Sequence, residues 1–230
     1  MKKQIILSAA LFVAAFASAQ TEVNIEKLFN VTETPIEIVE PLTVKEGVVF
    51  IGDTRTPDKI TDGQYKGMRV QKQRRMFKQG ATNVQYANML AFRRTPSGIS
   101  KDKVVDINAV PRSCMMQLKP LSGGKLSFYA YGGKEDDTRH LYVAVRNGVT
   151  FKNIAVLDYV KDPAVTGKKD APYGVQNCDY SYTDGDELWI YSNGNVNLFA
   201  LTFEGKIDQG FIGSDPVEVS KAVRRAQKNK

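Results

Sequence analysis

The side chains that could perform catalysis are few in this sequence, and none lies in a recognised catalytic motif. His140 is the only histidine, so a Ser-His-Asp or Cys-His site would have to use it. The sequence also lacks a nucleophile elbow, an HExxH motif and a phosphate-binding glycine loop. We therefore favour a protein that is not an enzyme. A small polysaccharide lyase that uses a lysine or arginine as its base is the weaker alternative.

Two acidic turns carry neighbouring carboxylates, one at 135–137 and one at 184–187. Paired carboxylates can hydrolyse glycosidic bonds, and oxygen ligands on a flexible turn can bind structural calcium. Neither turn has the spacing of a complete calcium-binding loop. We therefore expect solvated turns and no cofactor, with structural calcium as the alternative.

Aromatic side chains are the best candidates for a binding site. Tyr129 and Tyr131 share one face of a predicted strand, and Trp189 and Tyr191 share one face of another. Flat rings can stack on the apolar faces of sugars, while a nearby polar group such as Arg139 orients the hydroxyls. We predict a ligand site at these five residues. In the alternative interpretation the rings fill a hydrophobic contact, because aromatic residues dominate cores as well as interfaces.

Cys114 and Cys178 are the only cysteines in the chain. In an oxidising compartment they could form a disulfide, which would contribute on the order of 4 kcal/mol in the loop-entropy model. The alternative is two buried free thiols. Two distant cysteines and one histidine do not make a zinc ligand set.

Residues 1–19 have the three parts of a signal peptide. Lys2 and Lys3 give a charged start, Ile5–Ala17 is apolar, and small residues at 17 and 19 fit a cleavage site before Gln20. We predict export to the periplasm, the outer-membrane surface or the extracellular space. No later apolar run is long enough for a transmembrane helix.

The charge of the chain favours an acidic partner. The formal net charge is +7, and it falls to +5 without Lys2 and Lys3. From Gly63 to Lys101 there is no acidic residue. For an exported protein we expect an acidic glycan, a lipopolysaccharide phosphate or an acidic protein partner, and no nucleic acid. Charge that serves only solubility is the alternative.

Alternating apolar residues and closely spaced turn signals predict an all-β fold, an antiparallel β-sandwich with a short C-terminal helix. Strands are predicted at 125–131, 140–146, 187–192 and 196–203, and Val44–Ile51 is predicted as the first core strand. Period-2 alternation places one set of residues inward together. This set is Leu126, Phe128, Leu141, Val143, Val145, Leu188 and Ile190.

The chain divides into four predicted segments. Residues 1–19 form the signal peptide, 20–42 an N-terminal extension, 43–213 the β-sandwich domain, and 214–230 a basic C-terminal helix or tail. Asp215 is the expected N-cap of that helix, Pro216 its first residue, and Glu218 would complete a capping box.

Three stretches carry a resemblance to a known family. They are GKLSFYAYGG at 124–133, RHLYVAV at 139–145 and LWIYSNGNVNLFALTF at 188–203. They resemble the jelly-roll, carbohydrate-binding-like domains appended to secreted pectate lyases and related polysaccharide-degrading proteins of Bacteroidota. The resemblance implies a jelly-roll-like sandwich with a glycan as ligand. We therefore predict a non-catalytic exported glycan-binding module. The alternative is a structural or assembly protein of the bacterial envelope that docks a protein partner.

Overall fold

The structure is a computed structural model that describes residues 20–39, 42–53, 67–97, 99, 109–132, 139–157 and 172–229. The predicted signal peptide and the acidic turn at 135–137 lie outside these residues. In chain order the described elements are β1 (Gln20–Asn24), α1 (Ile25–Leu28), β2 (Ile36–Ile38), β3 (Thr43–Lys45), β4 (Val48–Ile51), β5 (Met68–Gln79), β6 (Thr82–Phe92), β7 (Met115–Leu118), β8 (Gly124–Gly132), β9 (Leu141–Asn147), β10 (Thr150–Leu157), β11 (Gln176–Tyr180), β12 (Glu187–Ser192), β13 (Val196–Glu204) and α2 (Pro216–Lys228).

The strands form two antiparallel sheets in a sandwich, as the sequence predicts. The first sheet has the order β11-β8-β13-β6-β5-β2, and β1 also pairs with β13. The second sheet has the order β10-β9-β12-β7-β4-β3. Their inner faces share one hydrophobic core, which contains six of the seven residues predicted to be buried together. The seventh, Val145, is partly buried and packs against the same core.

The described part of the N-terminal segment, residues 20–39, contributes two strands to the first sheet. Its strand β1 pairs with β13 from Gln20↔Glu204 to Asn24↔Ala200, and β2 pairs with β5. The sequence gives little sign of this, because both strands are short and their partners lie far away in the chain.

The predicted strand Val44–Ile51 is a hairpin instead, with β3 and β4 joined by a tight turn at Glu46 and Gly47. Both turn residues have positive φ, 51° and 75°, as a two-residue hairpin turn requires. A Cβ at Gly47 would overlap the backbone carbonyl of Asp208. Glycine therefore allows this turn to approach the 205–215 segment closely.

The C-terminal helix begins where the sequence predicts. The Asp215 side chain accepts hydrogen bonds from the backbone N–H groups of Val217 (2.8 Å) and Glu218 (3.3 Å). The reciprocal half of the capping box is not formed, because Glu218 pairs with Lys221 instead. Val219 and Val223 are buried on the outer face of the second sheet, so the helix covers that face.

Most long connections between the two sheets leave from one end of the sandwich, which we call the loop end. Strand pairing puts Ile51, Met115, Tyr191 and Tyr142 side by side at this end of the second sheet. In the first sheet, pairing brings Met68, Phe92, Val196 and Gly132 together in the same way. These ends of the two sheets lie at the same end of the sandwich, because only three residues join Ser192 of β12 to Val196 of β13. The opposite end carries the tight turns at 147–150 and 183–186.

Candidate functional site

The four aromatic residues predicted to bind a ligand do not form one exposed face. Tyr129 is 1% exposed, Tyr131 is 8% exposed, and Trp189 and Tyr191 are fully buried. Each pair does share one face of its strand, as predicted, but β8 belongs to the first sheet and β12 to the second. The outer faces of a sandwich point in opposite directions, and the two pairs accordingly lie in separate clusters.

The outer face of the first sheet is covered by the chain itself. A register shift between Lys72 and Arg75 interrupts the pairing of β5 and β6. Beyond it, Phe77 packs edge-on against Tyr129 at 5.7 Å between ring centroids. Tyr173 stacks on Tyr131 at 4.9 Å, and it exchanges backbone hydrogen bonds with the hairpin strand β5. A ligand would reach these tyrosines only if the hairpin and Tyr173 moved away.

The outer face of the second sheet is covered by α2. Tyr191 stacks on Tyr142 at 5.1 Å, and Phe151 meets Trp189 edge-on at 5.3 Å. The Tyr191 hydroxyl donates to Asn153 Oδ1 at 2.7 Å. Burial raises the pKa of Tyr191 above its usual range. These rings therefore have the environment of a core, and their role in ligand binding stays a prediction.

A buried polar network fixes the chain just before α2. Glu187 Oε1 accepts hydrogen bonds from Arg146 Nη1 (2.7 Å) and Ser214 Oγ (2.8 Å), and Glu187 Oε2 accepts one from Trp189 Nε1 (3.2 Å). The side-chain amide of Gln117 bonds to the backbone of Ser214: its Oε1 accepts the Ser214 N–H at 2.9 Å, and its Nε2 donates to the Ser214 carbonyl at 3.1 Å. These bonds fasten the 211–215 segment to the sheet and thereby position the helix.

The acidic turn at 184–187 is occupied by internal donors. Asp186 is buried and accepts hydrogen bonds from the Tyr180 hydroxyl (2.9 Å), the Thr183 N–H (2.7 Å) and Asn147 Nδ2 (2.7 Å). Burial, together with the bond to Asp186, raises the pKa of Tyr180. The carboxylates of Asp186 and Glu187 serve different networks. Within the described parts of the chain, no cluster of three metal-ligating residues is found.

Cys114 and Cys178 are both buried, and the structure does not join them by a disulfide, so their pairing stays a prediction. Cys114 and Cys178 belong to the same hydrophobic core. Burial raises the pKa of the Cys178 thiol to about 12. A thiol with so high a pKa is almost entirely protonated near neutral pH and is a poor nucleophile.

The fifth predicted residue, Arg139, lies half-buried at the loop end, just before β9. Its side chain packs against the backbone of Gly194. The neighbouring His140 donates its backbone N–H to Asn193 Oδ1 at 2.8 Å, and its ring meets Tyr142 edge-on.

An open polar cleft lies where the N-terminal segment meets the β5–β6 hairpin. Its volume is about 590 Å³. The described residues that line it come from three places: α1 and the chain after it, the irregular part of β5, and the facing part of β6. They are Glu26, Asn30, Val31, Lys72, Gln73, Arg74, Ala87 and Asn88.

A β-bulge shapes this cleft. Lys72 still pairs with Asn88, but the next regular pair is Arg75 with Tyr86, so Gln73 and Arg74 have no partners in the ladder. Bulges bend a strand and redirect its side chains, and they are frequent next to functional sites. Here the bulge brings an amide and a guanidinium to the cleft beside the ammonium group of Lys72.

The charges of the cleft are only lightly satisfied. Lys72 Nζ lies 2.6 Å from Glu33 Oε1, but both side chains are exposed, at 51% and 92%. An exposed ion pair of this kind contributes little to stability, so an external anion could replace Glu33. Glu26 is engaged differently, because its Oε2 accepts the backbone N–H of Ala87 at 3.1 Å.

The sequence gives a sign of the basic half of the cleft, though not of a site there, and no sign of the other half. The absence of acidic residues from 63 to 101 marks Lys72 and Arg74 as unusual. Asn30 and Asn88 carry no comparable signal, because isolated asparagines are typical of turns and strand ends. Only the pairing of the N-terminal segment with the sandwich brings them to the same place.

Comparison with known proteins adds no family to these observations: the chain matches no protein-family model, and no curated protein is similar to it in sequence. Among the described residues, neither helix has the length and apolar character needed to cross a membrane.

Proposed function

We propose that this protein is a non-catalytic glycan-binding module of an exported protein, and that its cleft holds an acidic saccharide. The observation that carries the proposal is the combination of cations and amides in one cavity. Lys72 and Arg74 offer charge for a carboxylate or sulfate, and Asn30, Gln73 and Asn88 can bond to hydroxyl groups. Pockets for small ligands have roughly 300–1,000 Å³, so the volume suits one or two sugar rings.

The chemistry of the cleft favours an acidic sugar over a neutral one. None of the described lining residues is aromatic, so a sugar there has no ring to stack on. Affinity must come from hydrogen bonds and from the two cations. Exposed charges are screened by salt, with a Debye length of about 8 Å at physiological ionic strength. Binding should therefore weaken clearly between 50 mM and 500 mM NaCl.

The test is calorimetric titration of the chain beginning at Gln20 with an oligogalacturonate and with a neutral cello-oligosaccharide. We expect binding of the acidic ligand, with affinity reduced about tenfold or more in Lys72→Gln and Arg74→Gln, since a hydrogen bond to a charged group contributes about 1.5–3 kcal/mol. Lys221→Gln is the matched control. Lys221 also forms an exposed ion pair with a glutamate at 2.6 Å, but on α2.

Three results would count against the proposal. Wild-type protein that binds neither acidic nor neutral oligosaccharides would remove the glycan function. Equal affinity in Lys72→Gln and wild type would move the site out of the cleft. An equal loss in Lys221→Gln would mean that net charge, rather than the cleft, attracts the ligand.

Export is the part of the proposal that rests on the N-terminal sequence. If residues 1–19 are a signal peptide, the mature chain begins at Gln20, which is also the first residue of β1. Cleavage there would keep every described residue of the strand. Mass spectrometry of the protein from its native cells should find a mature N-terminus at or next to Gln20, and an intact Met1 would contradict export by this route.

A second candidate function is the assembly role, which the outer face of α2 favours. Its cations Lys221, Arg224, Arg225 and Lys228 are all exposed, and the Glu187 network holds the helix in place. Such a face could dock an acidic protein partner. The two functions separate in one comparison, because neutralising these four residues should leave glycan binding unchanged and abolish capture by an acidic partner.

A further inference from the structure

Two arginines at the loop end have no counter-ion among the described residues. Arg112 precedes β7 and Arg139 precedes β9, and both are half-buried. Arg112 Nε and Arg139 Nη1 are buried nitrogens without a hydrogen-bond acceptor. Neither side chain forms an ion pair within the part of the chain that the structure describes.

Their situation differs from that of the neighbouring arginines. Arg146 Nε also has no acceptor, but Arg146 Nη1 donates to Glu187. Arg94 lies 3.3 Å from the buried carboxylate of Asp53. A buried donor of a charged group is costly when it is left without an acceptor. Arg112 and Arg139 therefore differ from Arg94 and Arg146, because neither has an acidic partner in the described part of the chain.

A chain of hydrogen bonds holds the segments around these arginines together. Thr95 Oγ1 donates to the Asn193 carbonyl at 2.8 Å, and Asn193 is followed by Gly194, against which Arg139 packs. Two residues after Thr95, the carbonyl of Ser97 accepts a hydrogen bond from the backbone N–H of Arg112 at 2.8 Å.

The same frame carries hydroxyl groups. The Ser97 and Ser113 hydroxyls lie 3.2 Å apart, and Ser113 Oγ also accepts the Ser97 N–H at 3.1 Å. The frame therefore supplies two guanidinium groups and two hydroxyls on segments that are fixed to one another. Cations with neighbouring hydroxyl donors are the groups that proteins use to bind oxyanions.

We propose that the loop end binds a small oxyanion through Arg139 and Arg112, with the Ser97–Ser113 hydroxyl pair beside them. The ligand chemistry is a tetrahedral sulfate or phosphate group, either as the free ion or carried by a larger molecule. This site is separate from the glycan cleft, which is lined by α1, β5 and β6, and it does not depend on the proposed function of that cleft.

The experiment is thermal unfolding and calorimetric titration of the chain beginning at Gln20 with inorganic sulfate, against NaCl at equal ionic strength. A ligand that binds only the folded state raises the melting temperature with the logarithm of its concentration. Sulfate also stabilises proteins by exclusion from their surface. That general effect is common to all variants, so the binding effect is the difference between wild type and Arg139→Gln.

We expect wild-type protein to gain more than Arg139→Gln or Arg112→Gln at the same sulfate concentration, and sulfate affinity to fall about tenfold in each variant. Arg225→Gln, at an exposed position on α2, should respond like wild type. A sulfated disaccharide and its unsulfated parent distinguish a carried group from the free ion. Tighter binding of the sulfated sugar than of sulfate, lost in Arg139→Gln, assigns the loop-end site to a carried group.

Equal stabilisation of wild type and both arginine variants would overturn the proposal. The same holds if titration of wild type with sulfate gives no saturable heat. If Arg139→Gln does not fold, Arg112→Gln is the deciding variant, because Arg112 Nε also lacks an acceptor and the same loss of sulfate affinity is expected.

Discussion

Replacing Glu187 with glutamine should destabilise the protein strongly, because the change removes a buried charge while keeping the shape of the side chain. The Glu187 carboxylate accepts from Arg146 at 2.7 Å, from Ser214 at 2.8 Å and from Trp189 at 3.2 Å. The residue is only 7% exposed. A glutamine amide would place an N–H group against one of these donors and would leave Arg146 without an anion.

The size of the loss follows from the exposure of the partner. Removing one member of a fully buried ion pair costs about 3–5 kcal/mol. The Arg146 side chain is 23% exposed, so water can solvate part of its charge. We therefore expect Glu187→Gln to lower the free energy of unfolding by about 2–3 kcal/mol.

Urea unfolding followed by the fluorescence of Trp189 measures this loss directly. Trp189 is the only tryptophan, and its indole N–H binds Glu187, so the probe lies at the perturbed network. With a urea dependence of roughly 1–3 kcal/mol per M, the midpoint should fall by about 1 M or more. Glu218→Gln, which breaks an exposed pair with Lys221, should change stability by less than about 0.5 kcal/mol. A Glu187→Gln protein as stable as this control would refute the reasoning.

Three further outcomes follow from burial. Phe128→Ala should cost about 3–5 kcal/mol of unfolding free energy, because Phe128 is fully buried, whereas Val149→Ala, at a 54% exposed position, should cost almost nothing in the same urea assay. A thiol reagent at pH 8 should react with neither Cys114 nor Cys178 in the folded protein, and with both once the protein is unfolded without reductant. If the unfolded protein has no reactive thiol, the two cysteines form a disulfide. Burial raises the pKa of Cys178 to about 12 and that of Tyr191 above its usual range, so the unfolded chain loses these protons at lower pH than the folded protein. The free energy of unfolding should therefore stay constant up to about pH 8.5 and fall as the pH rises toward 12. Urea midpoints that do not change over this range would contradict the prediction.

The inner half of the sandwich could be predicted because its signals are local. Leu126 and Phe128 alternate with polar or aromatic neighbours, and an alternating strand with one buried face can place them only inward. The Asn147-Gly148 turn follows from a backbone requirement, since Gly148 has φ 56°, in the region that glycine adopts at little cost.

The covered outer faces could not be predicted from the same signals. Alternation correctly places Tyr131 opposite Phe128 and Trp189 opposite Ile190, but it does not say which sheet each strand joins or what lies on top. The covering groups are Tyr173 for one face and α2 for the other. Each reaches its position through tertiary packing, which no local pattern encodes.

The cleft escaped prediction for a related reason. Its cations are recognisable in the sequence. The bulge that redirects Gln73 and Arg74, however, arises from the pairing of β5 with β6, and no glycine or proline marks its position in the sequence. Asn30 reaches the cleft only because β1 and β2, on either side of it, join the first sheet.

The pairing of β1 with β13 also constrains the time course of folding. The first described strand must find a partner near the end of the chain: Thr21 and Gly205, which share a hydrogen bond, are 184 positions apart. Until residues 200–204 are available, β1 has no strand to pair with. Folds dominated by such distant pairings form slowly, in milliseconds to seconds. A chain with this topology stays incompletely folded while most of it is being synthesised, and an unfolded chain is the form that can be threaded through a narrow pore.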